Sequence, residues 1–312
     1  MSYRFDHLIG QDTIKRQLDF YLDGFEKTGY IPSLLWTGAK GLGKTLFARE
    51  FSKYIEDEGQ PRAFLEINSS TIKNVNTFFE QIVLPVLMDN RVTVFFDEAH
   101  ELPMDLQNAL LTILNPEKSM VKNYSWQGMD IPFNFQEITF LFATTESDKL
   151  FPPLKDRMRI VDFDEYKPSE LGEILKRNVF DNINVCEKIL EDVSTTVRGN
   201  ARNAVVRAND INLLLGNAEE VLFGEKEWKD LKYKTGINPY GVTNTEKNLL
   251  KILNESTSAT LSCLSSKTGL SRTSIQQDHE KYLVRIGAIE IDGKRSITQL
   301  GRKIIKLDEQ SA

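Results

Sequence analysis

Gly38-Ala39-Lys40-Gly41-Leu42-Gly43-Lys44-Thr45 follows directly on the apolar run Leu34-Leu35-Trp36, and about fifty residues later Val92-Thr93-Val94-Phe95-Phe96 runs into Asp97-Glu98. The first stretch fits G-x-x-x-x-G-K-[ST]. In that motif glycines such as Gly38, Gly41 and Gly43 let backbone N–H groups wrap nucleotide phosphates. Lys44 reaches the terminal phosphates as a point charge, and the Thr45 hydroxyl ligates Mg²⁺. The second stretch reads as a buried strand ending in paired carboxylates. Asp97 is suited to hold magnesium through water, and Glu98, one residue farther along, is the better general base. In this order and spacing the segments point to hydrolysis of a nucleoside triphosphate.

Working outward, the first half of the chain alternates two periodicities. Gln11 to Lys27 is helical by spacing, with Ile14, Leu18, Tyr21, Leu22 and Phe25 on one side. Strands are expected at Leu34–Trp36, Ala63–Ile67, Val92–Phe96, Ile138–Ala143 and Arg159–Phe163, with helical runs between them at Lys44–Ile55, Thr71–Leu87 and Met104–Leu114. This alternation predicts an α/β domain with a mostly parallel sheet, whose ligands bind at the carboxyl ends of the strands. After Tyr166-Lys167-Pro168 the strand signals stop, and Glu170–Phe180, Val185–Thr196 and Ala201–Leu215 read as a small helical domain. A polar stretch from Glu225 to Pro239 leads to the last unit. There Thr245–Leu253, Leu261–Lys267 and Ser271–Ile286 are helical, and residues 287–298 form a short hairpin, a winged-helix pattern. The expected domains are residues 1–164, 165–235 and 236–312.

Further residues fit the same chemistry. Phe140-Leu141-Phe142-Ala143-Thr144-Thr145 ends a strand in hydroxyls beside the acidic one, and Thr145 is the favoured side chain to orient an attacking water. Arg157, in Pro153-Leu154-Lys155-Asp156-Arg157, lies beyond the sheet's edge. From there it suits a neighbouring subunit's nucleotide better than its own, the logic of transition-state stabilisation supplied in trans. A surface ion pair with Asp156 is the plain alternative. Arg202 opens a helix of the small domain and is placed for the γ-phosphate in cis. The tetrapeptide Asp97-Glu98-Ala99-His100 also spells the box of a two-lobed helicase class. Residues 164–312 offer no second lobe of that kind, so His100 reads as a helix-start residue.

Bulk composition sets bounds. The chain has 312 residues, 27% of them charged and 40% hydrophobic, with a net charge of −6, an ordinary globular composition. From Gly236 onward eleven Lys/Arg face eight Asp/Glu, against 28 basic and 37 acidic residues before it. A mildly basic tail on an acidic body suits nucleic-acid contact. No apolar run approaches the length of a membrane span, and Met1-Ser2-Tyr3-Arg4-Phe5-Asp6 lacks signal-peptide character. Cys186 and Cys263 lie far apart without metal-type spacing, so a reducing, cytoplasmic setting without zinc or disulfides is expected.

Taken together, the phosphate loop, the Asp97-Glu98 strand, Ala143-Thr144-Thr145, Leu154-Lys155-Asp156-Arg157 and Arg198-Gly199-Asn200-Ala201-Arg202 resemble AAA+ ATPases. Within that group the chain resembles the RuvB family of branch-migration motors over nearly its whole length. Ile9-Gly10-Gln11 and Tyr282-Leu283-Val284-Arg285-Ile286-Gly287 are also similar to that family. The resemblance implies an AAA+ P-loop NTPase core, a helical lid domain and a C-terminal winged-helix domain. It implies ATP and Mg²⁺ as cofactors, a homo-hexameric ring on duplex or four-way junction DNA, and a RuvA-type loader. By position it gives Gly41, Lys44 and Thr45 at the phosphates and magnesium, Tyr166 as a nucleotide-contacting tyrosine, Arg157 as the trans arginine and Arg202 as the small-domain arginine. Arg295 falls at a DNA-contacting position of the wing, with Lys294 beside it.

The sequence departs from the family at several points. Ala39-Lys40 stand where the family has two prolines, the Leu-Arg pair that flanks adenine has no counterpart, and Ile291 replaces a second wing arginine. Residues Asn115–Gln136 fit a protruding hairpin, which in the family docks on RuvA. Here Met120, Val121, Tyr124 and Trp126 would form a partner surface or a DNA wedge; the plain alternative is that they pack on the chain's own core. The alternative reading is an AAA+ switch of the clamp-loader or helicase-loader kind acting on DNA.

Overall fold

The computed structural model describes residues 4–115, 119–216 and 219–309. The opening residues 1–3 and residues 116–118 of the expected hairpin segment lie outside that description. The chain divides into two compact units. One runs to Lys167 and takes in Asn200–Arg202; the other comprises Pro168–Gly199 and Asn203 onward.

The first unit is built on a five-stranded sheet. Its strands are β1 (Leu34–Thr37), β2 (Ala63–Asn68), β3 (Val92–Asp97), β4 (Ile138–Thr144) and β5 (Arg159–Asp162), in the order β2-β3-β4-β1-β5. All neighbouring pairs are parallel. The central strands β1, β3 and β4 are buried on both faces, which is why their sequences run apolar without alternation. Register aligns Asn68 with Asp97 and Thr37 with both Thr144 and Asp162. The polar residues that end these strands therefore share one edge of the sheet.

Helix α1 (Asp12–Thr28) buries Ile14, Leu18, Leu22 and Phe25 at helical spacing, and α2 (Lys44–Ser52) rises directly from the glycine-rich loop. Helix α3 (Met104–Ile113) turns Leu106, Ala109, Leu110 and Ile113 inward. The run expected as one helix over 71–87 begins at Val75 and widens to π-type turns from Phe79 to Leu87, around Pro85. A proline has no N–H for the i−4 carbonyl, and a widened turn accommodates that loss.

The hairpin Val121–Trp126/Met129–Asn134 forms with both turn residues, Gln127 and Gly128, at positive φ. Its aromatic face does not protrude. Trp126 is buried and stacks on Phe79 with centroids 5.1 Å apart, and its Nε1 donates to Asn76 at 2.9 Å. Tyr124 also stacks on Phe79, at 5.3 Å. Ile131 and Phe133 join the same core. The expected partner surface is thereby corrected: its exposed apolar side chains are Met120 and Val121, with Met129 added from the return strand.

In the second unit, helices Pro168–Asn178, Glu187–Thr196 and Ala201–Leu215 form as expected. The polar stretch after Glu225 is not a linker but a helix, Glu225–Thr235, anchored in the core by Trp228 and Leu231. The C-terminal module consists of helices Asn244–Ser256 and Leu261–Thr268 and a continuous helical run from Arg272 to Arg285. A three-stranded antiparallel sheet follows, in the order Ser258–Ala259, Lys294–Ile297, Ile289–Asp292. Helix Gln299–Glu309, not foreseen in the sequence, closes the module by burying Ile304 and Ile305.

Within this unit Arg198 bridges to the C-terminal module. Its guanidinium pairs with the fully buried Glu246 at 2.8 Å and lies 3.5 Å from the centroid of the Tyr282 ring. Among the described residues no helix is long and apolar enough to cross a membrane.

Candidate active site

The loop between β1 and α2 carries Gly38, Gly41 and Gly43 at φ 140°, 83° and 93°. These angles turn successive N–H groups inward ahead of the α2 N-terminus, a ready anion site. Gly41 is the most constrained, since an added Cβ would lie 2.2 Å from Asn200 Oδ1. Asn200 Nδ2 donates to the Lys40 carbonyl at 2.6 Å, and the Arg202 amide donates to the Gly41 carbonyl at 3.2 Å. Tyr166 hydroxyl donates to the Leu42 carbonyl at 3.1 Å. Residues 200–202 and Tyr166 thus hold the loop's shape through its own backbone oxygens.

Lys44 is buried, and its Nζ donates to the Gly38 and Ala39 carbonyls, each at 2.9 Å. An ammonium capped by loop carbonyls is positioned where phosphate oxygens would replace them. Burial lowers its pKa from 10.5; Glu98 and Asp97 work against that shift, and Arg202 adds to it. Thr45 hydroxyl faces Asp97 Oδ2 at 3.4 Å, and Asp97 Oδ1 accepts the Glu98 amide at 3.0 Å. Burial raises the Asp97 carboxyl above 3.8, and the Glu98 charge adds to the rise. A half-buried carboxylate kept from full solvation beside a hydroxyl is a donor set suited to a hard divalent cation.

Glu98 occupies the left-handed region, with φ 51° and ψ 51°, unusual for a side chain with a Cβ. Thr145 hydroxyl donates to its Oε2 at 2.9 Å. β1, β3 and β4 therefore bring Lys44, Thr45, Asp97, Glu98 and Thr145 to one edge of the sheet. The sequence reading missed His100, whose Nδ1 lies 2.9 Å from Thr144 Oγ1. It also gave no contact for Gln11, which exchanges hydrogen bonds with the Asp164 backbone at 2.6 and 3.2 Å.

Arg157 lies elsewhere. It is exposed, makes no ion pair with Asp156, and lines a cavity of about 460 Å³ with Arg159, Lys122, Tyr30 and Phe135. None of the residues lining that cavity belongs to the phosphate loop. In the C-terminal module Lys294 is exposed, as expected for a phosphate contact. Arg295 is not. Its Nε and Nη2 donate to Glu280 Oε1 and Oε2 at 2.7 and 3.1 Å, with both side chains buried. The reading of Arg295 as a surface DNA contact is corrected on that ground: strand alternation turns it inward, and a buried carboxylate takes up its fork.

Residues 34–165 match the ATPase family associated with various cellular activities (AAA). The chain carries an AAA ATPase domain and resembles RuvB. Along its length it is 24% identical to the Holliday junction branch migration complex subunit RuvB of Campylobacter lari, covering 95% of this chain and 88% of that protein. Against the RuvB subunit of Thermotoga maritima the identity is 23%, over 97% of this chain and 91% of the relative. Among solved structures, a P216G mutant of Thermotoga maritima RuvB superposes with a TM-score of 0.77 at 20% identity, covering 97% of this chain and 98% of the other. The Thermotoga maritima RuvB Holliday junction branch migration motor gives 0.75 at 20% identity, over 96% and 95%. These likenesses show the fold. The AAA domain makes this chain a nucleotide-binding protein and an ATP hydrolase.

Proposed function

We infer that the chain is the ATPase subunit of a ring-shaped DNA motor that drives branch migration of four-way junctions in the cytoplasm. The hydrolysis part is carried by the gathering of Lys44, Thr45, Asp97, Glu98 and Thr145 at one sheet edge, with Arg157 presented away from it, and the DNA part is supported by the likeness to RuvB subunits over nearly the whole chain. ATP lies along the loop of Gly38, Gly41 and Gly43, its phosphates taking over the hydrogen bonds that Lys44 makes to loop carbonyls. Tyr166 and Arg202, hydrogen-bonded to the Leu42 and Gly41 carbonyls of that loop, are the further nucleotide contacts proposed. Thr45 and Asp97 would hold Mg²⁺, which supplies charge neutralisation at the phosphates. Thr145 fixes Glu98, and Glu98 takes a proton from the attacking water. Arg157 serves the neighbouring subunit's nucleotide, which makes hydrolysis a property of the ring.

The C-terminal module is a winged helix that meets DNA through Lys294. A loader of the RuvA kind is the partner proposed for the hairpin at 115–136, through Met120, Val121 and Met129 in place of the buried Trp126 and half-buried Tyr124. The chain then works as three domains, 1–164, 165–235 and 236–312, of which the last two pack as one unit through the Arg198–Glu246 pair.

Arg157→Ala tests the trans assignment. The variant should bind ATP as the wild type does and hydrolyse none alone. Mixing it with Lys44→Ala, itself unable to bind ATP, should restore turnover at mixed interfaces. Loss of ATP binding by Arg157→Ala, or no recovery on mixing, would contradict the proposal.

A further inference from the structure

His100 is the buried titratable side chain nearest the chemistry that the mechanism above leaves unused. It sits in the short 3-10 turn Ala99–Glu101 that follows β3, and its side chain is 7% exposed. Nδ1 lies 2.9 Å from Thr144 Oγ1 and 3.5 Å from Glu98 Oε2, while Nε2 lies 3.3 Å from Glu101 Oε1. Thr144 is itself fully buried, and its hydroxyl accepts the Glu146 amide at 3.1 Å. The imidazole is therefore anchored to β4 on one edge and to its own turn on the other.

The contacts converge on a single oxygen. Glu98 Oε2 accepts the Thr145 hydroxyl at 2.9 Å and lies in contact with His100 Nδ1 at 3.5 Å, the hydrogen bond of that nitrogen going to Thr144. Oε1 is left as the oxygen available to a water. Glu98 also holds a left-handed backbone conformation, which costs roughly 1–2 kcal/mol for a residue with a Cβ. Strain of that kind persists only where surrounding contacts fix it. Thr145 restrains the carboxylate by a hydrogen bond, and His100 does so by a contact at 3.5 Å.

We propose that His100 is a positioning residue for hydrolysis: anchored on Thr144, it holds Glu98 in the rotamer that presents Oε1 to the attacking water. This rests on Glu98 as the general base. The role is played by the Nδ1 edge, and the Nε2–Glu101 contact serves only to orient the ring. The two edges are separable by substitution, because an asparagine amide reaches about as far as Nδ1 and a glutamine amide about as far as Nε2.

The test is steady-state ATP hydrolysis by the assembled protein for His100→Ala, His100→Asn and His100→Gln, with ATP affinity measured in parallel as a control for folding. Misplacing a catalytic group by about 1 Å costs on the order of 100-fold. His100→Ala and His100→Gln should accordingly lose about 10- to 100-fold in kcat, and His100→Asn should recover most of it. KM for ATP should stay unchanged in all three. Equal loss in the Asn and Gln variants, or a loss expressed in KM, would overturn the proposal. In a Glu98→Gln background His100→Ala should cause no further loss, since the group it positions is already disabled. A full additional loss there would overturn it as well. Wild-type turnover by Glu98→Gln alone would remove the base assignment itself, an outcome distinct from failure of the His100 variants.

Discussion

Arg295 gives the sharpest test of the C-terminal module, because the sequence and the structure assign it opposite roles. Both nitrogens of its fork face Glu280, at 2.7 and 3.1 Å, and the two side chains are 11% and 5% exposed. Arg295→Ala strands a carboxylate in the module's interior, a loss of about 3–5 kcal/mol. For a unit of about 140 residues about 3 kcal/mol lowers the thermal midpoint by roughly 6–12 °C. Replacing the pair together, Arg295→Met with Glu280→Leu, removes both charges and should restore most of that stability. The assay pairs thermal unfolding with duplex binding measured across salt concentrations. Each neutralised phosphate contributes about 0.9 to the slope of log K against log salt. The double variant should keep the wild-type slope, whereas Lys294→Ala should make it shallower by about 0.9. The reasoning is refuted if Arg295→Ala melts like the wild type and shows the shallower slope, for then the arginine is a phosphate contact and not a structural pair.

Other outcomes follow from the same geometry. Trp126→Ala should destabilise the first unit by about 3–5 kcal/mol in denaturant titration; an unchanged midpoint would return Trp126 to a surface role. Asp97 has a folded pKa above 3.8, so the folded state binds that proton more tightly and stability declines as pH rises through the window just above 3.8. Asp97→Asn should therefore raise the stability of the nucleotide-free protein near neutral pH, with the gain vanishing in acid, while hydrolysis is lost. A variant less stable than the wild type at neutral pH would contradict this. Arg198→Ala leaves Glu246 buried without its cation and should cost about 3–5 kcal/mol in unfolding of the second unit, most of it recovered by adding Glu246→Gln. Wild-type stability of the single variant would contradict the bridge.

What could be read in advance has a physical pattern. The sheet was legible because β1, β3 and β4 are buried on both faces and so carry continuous apolar runs, with turn residues between them. The phosphate loop was legible because its chemistry is local: Lys44 and Thr45 follow the glycines that shape it. The remainder depends on partners distant in sequence. Glu280 and Thr144 are what decide the roles of Arg295 and His100, and nothing near either residue announces them. In the hairpin, Lys122 shares the inward face with Trp126, and a lysine at that position argues for the opposite orientation of the strand. The helix Glu225–Thr235 offered only Trp228 and Leu231 as apolar anchors amid charge, too little to separate a helix from a linker.

The measurement that bears most directly on the account is ATP hydrolysis by the wild type and Glu98→Gln, with no DNA, with linear duplex and with a four-way junction. A motor of the proposed kind hydrolyses ATP faster with DNA and fastest with the junction, and Glu98→Gln lowers that activity to a small, measurable residue in every condition. Turnover indifferent to DNA, or equal activity in the variant, would contradict it.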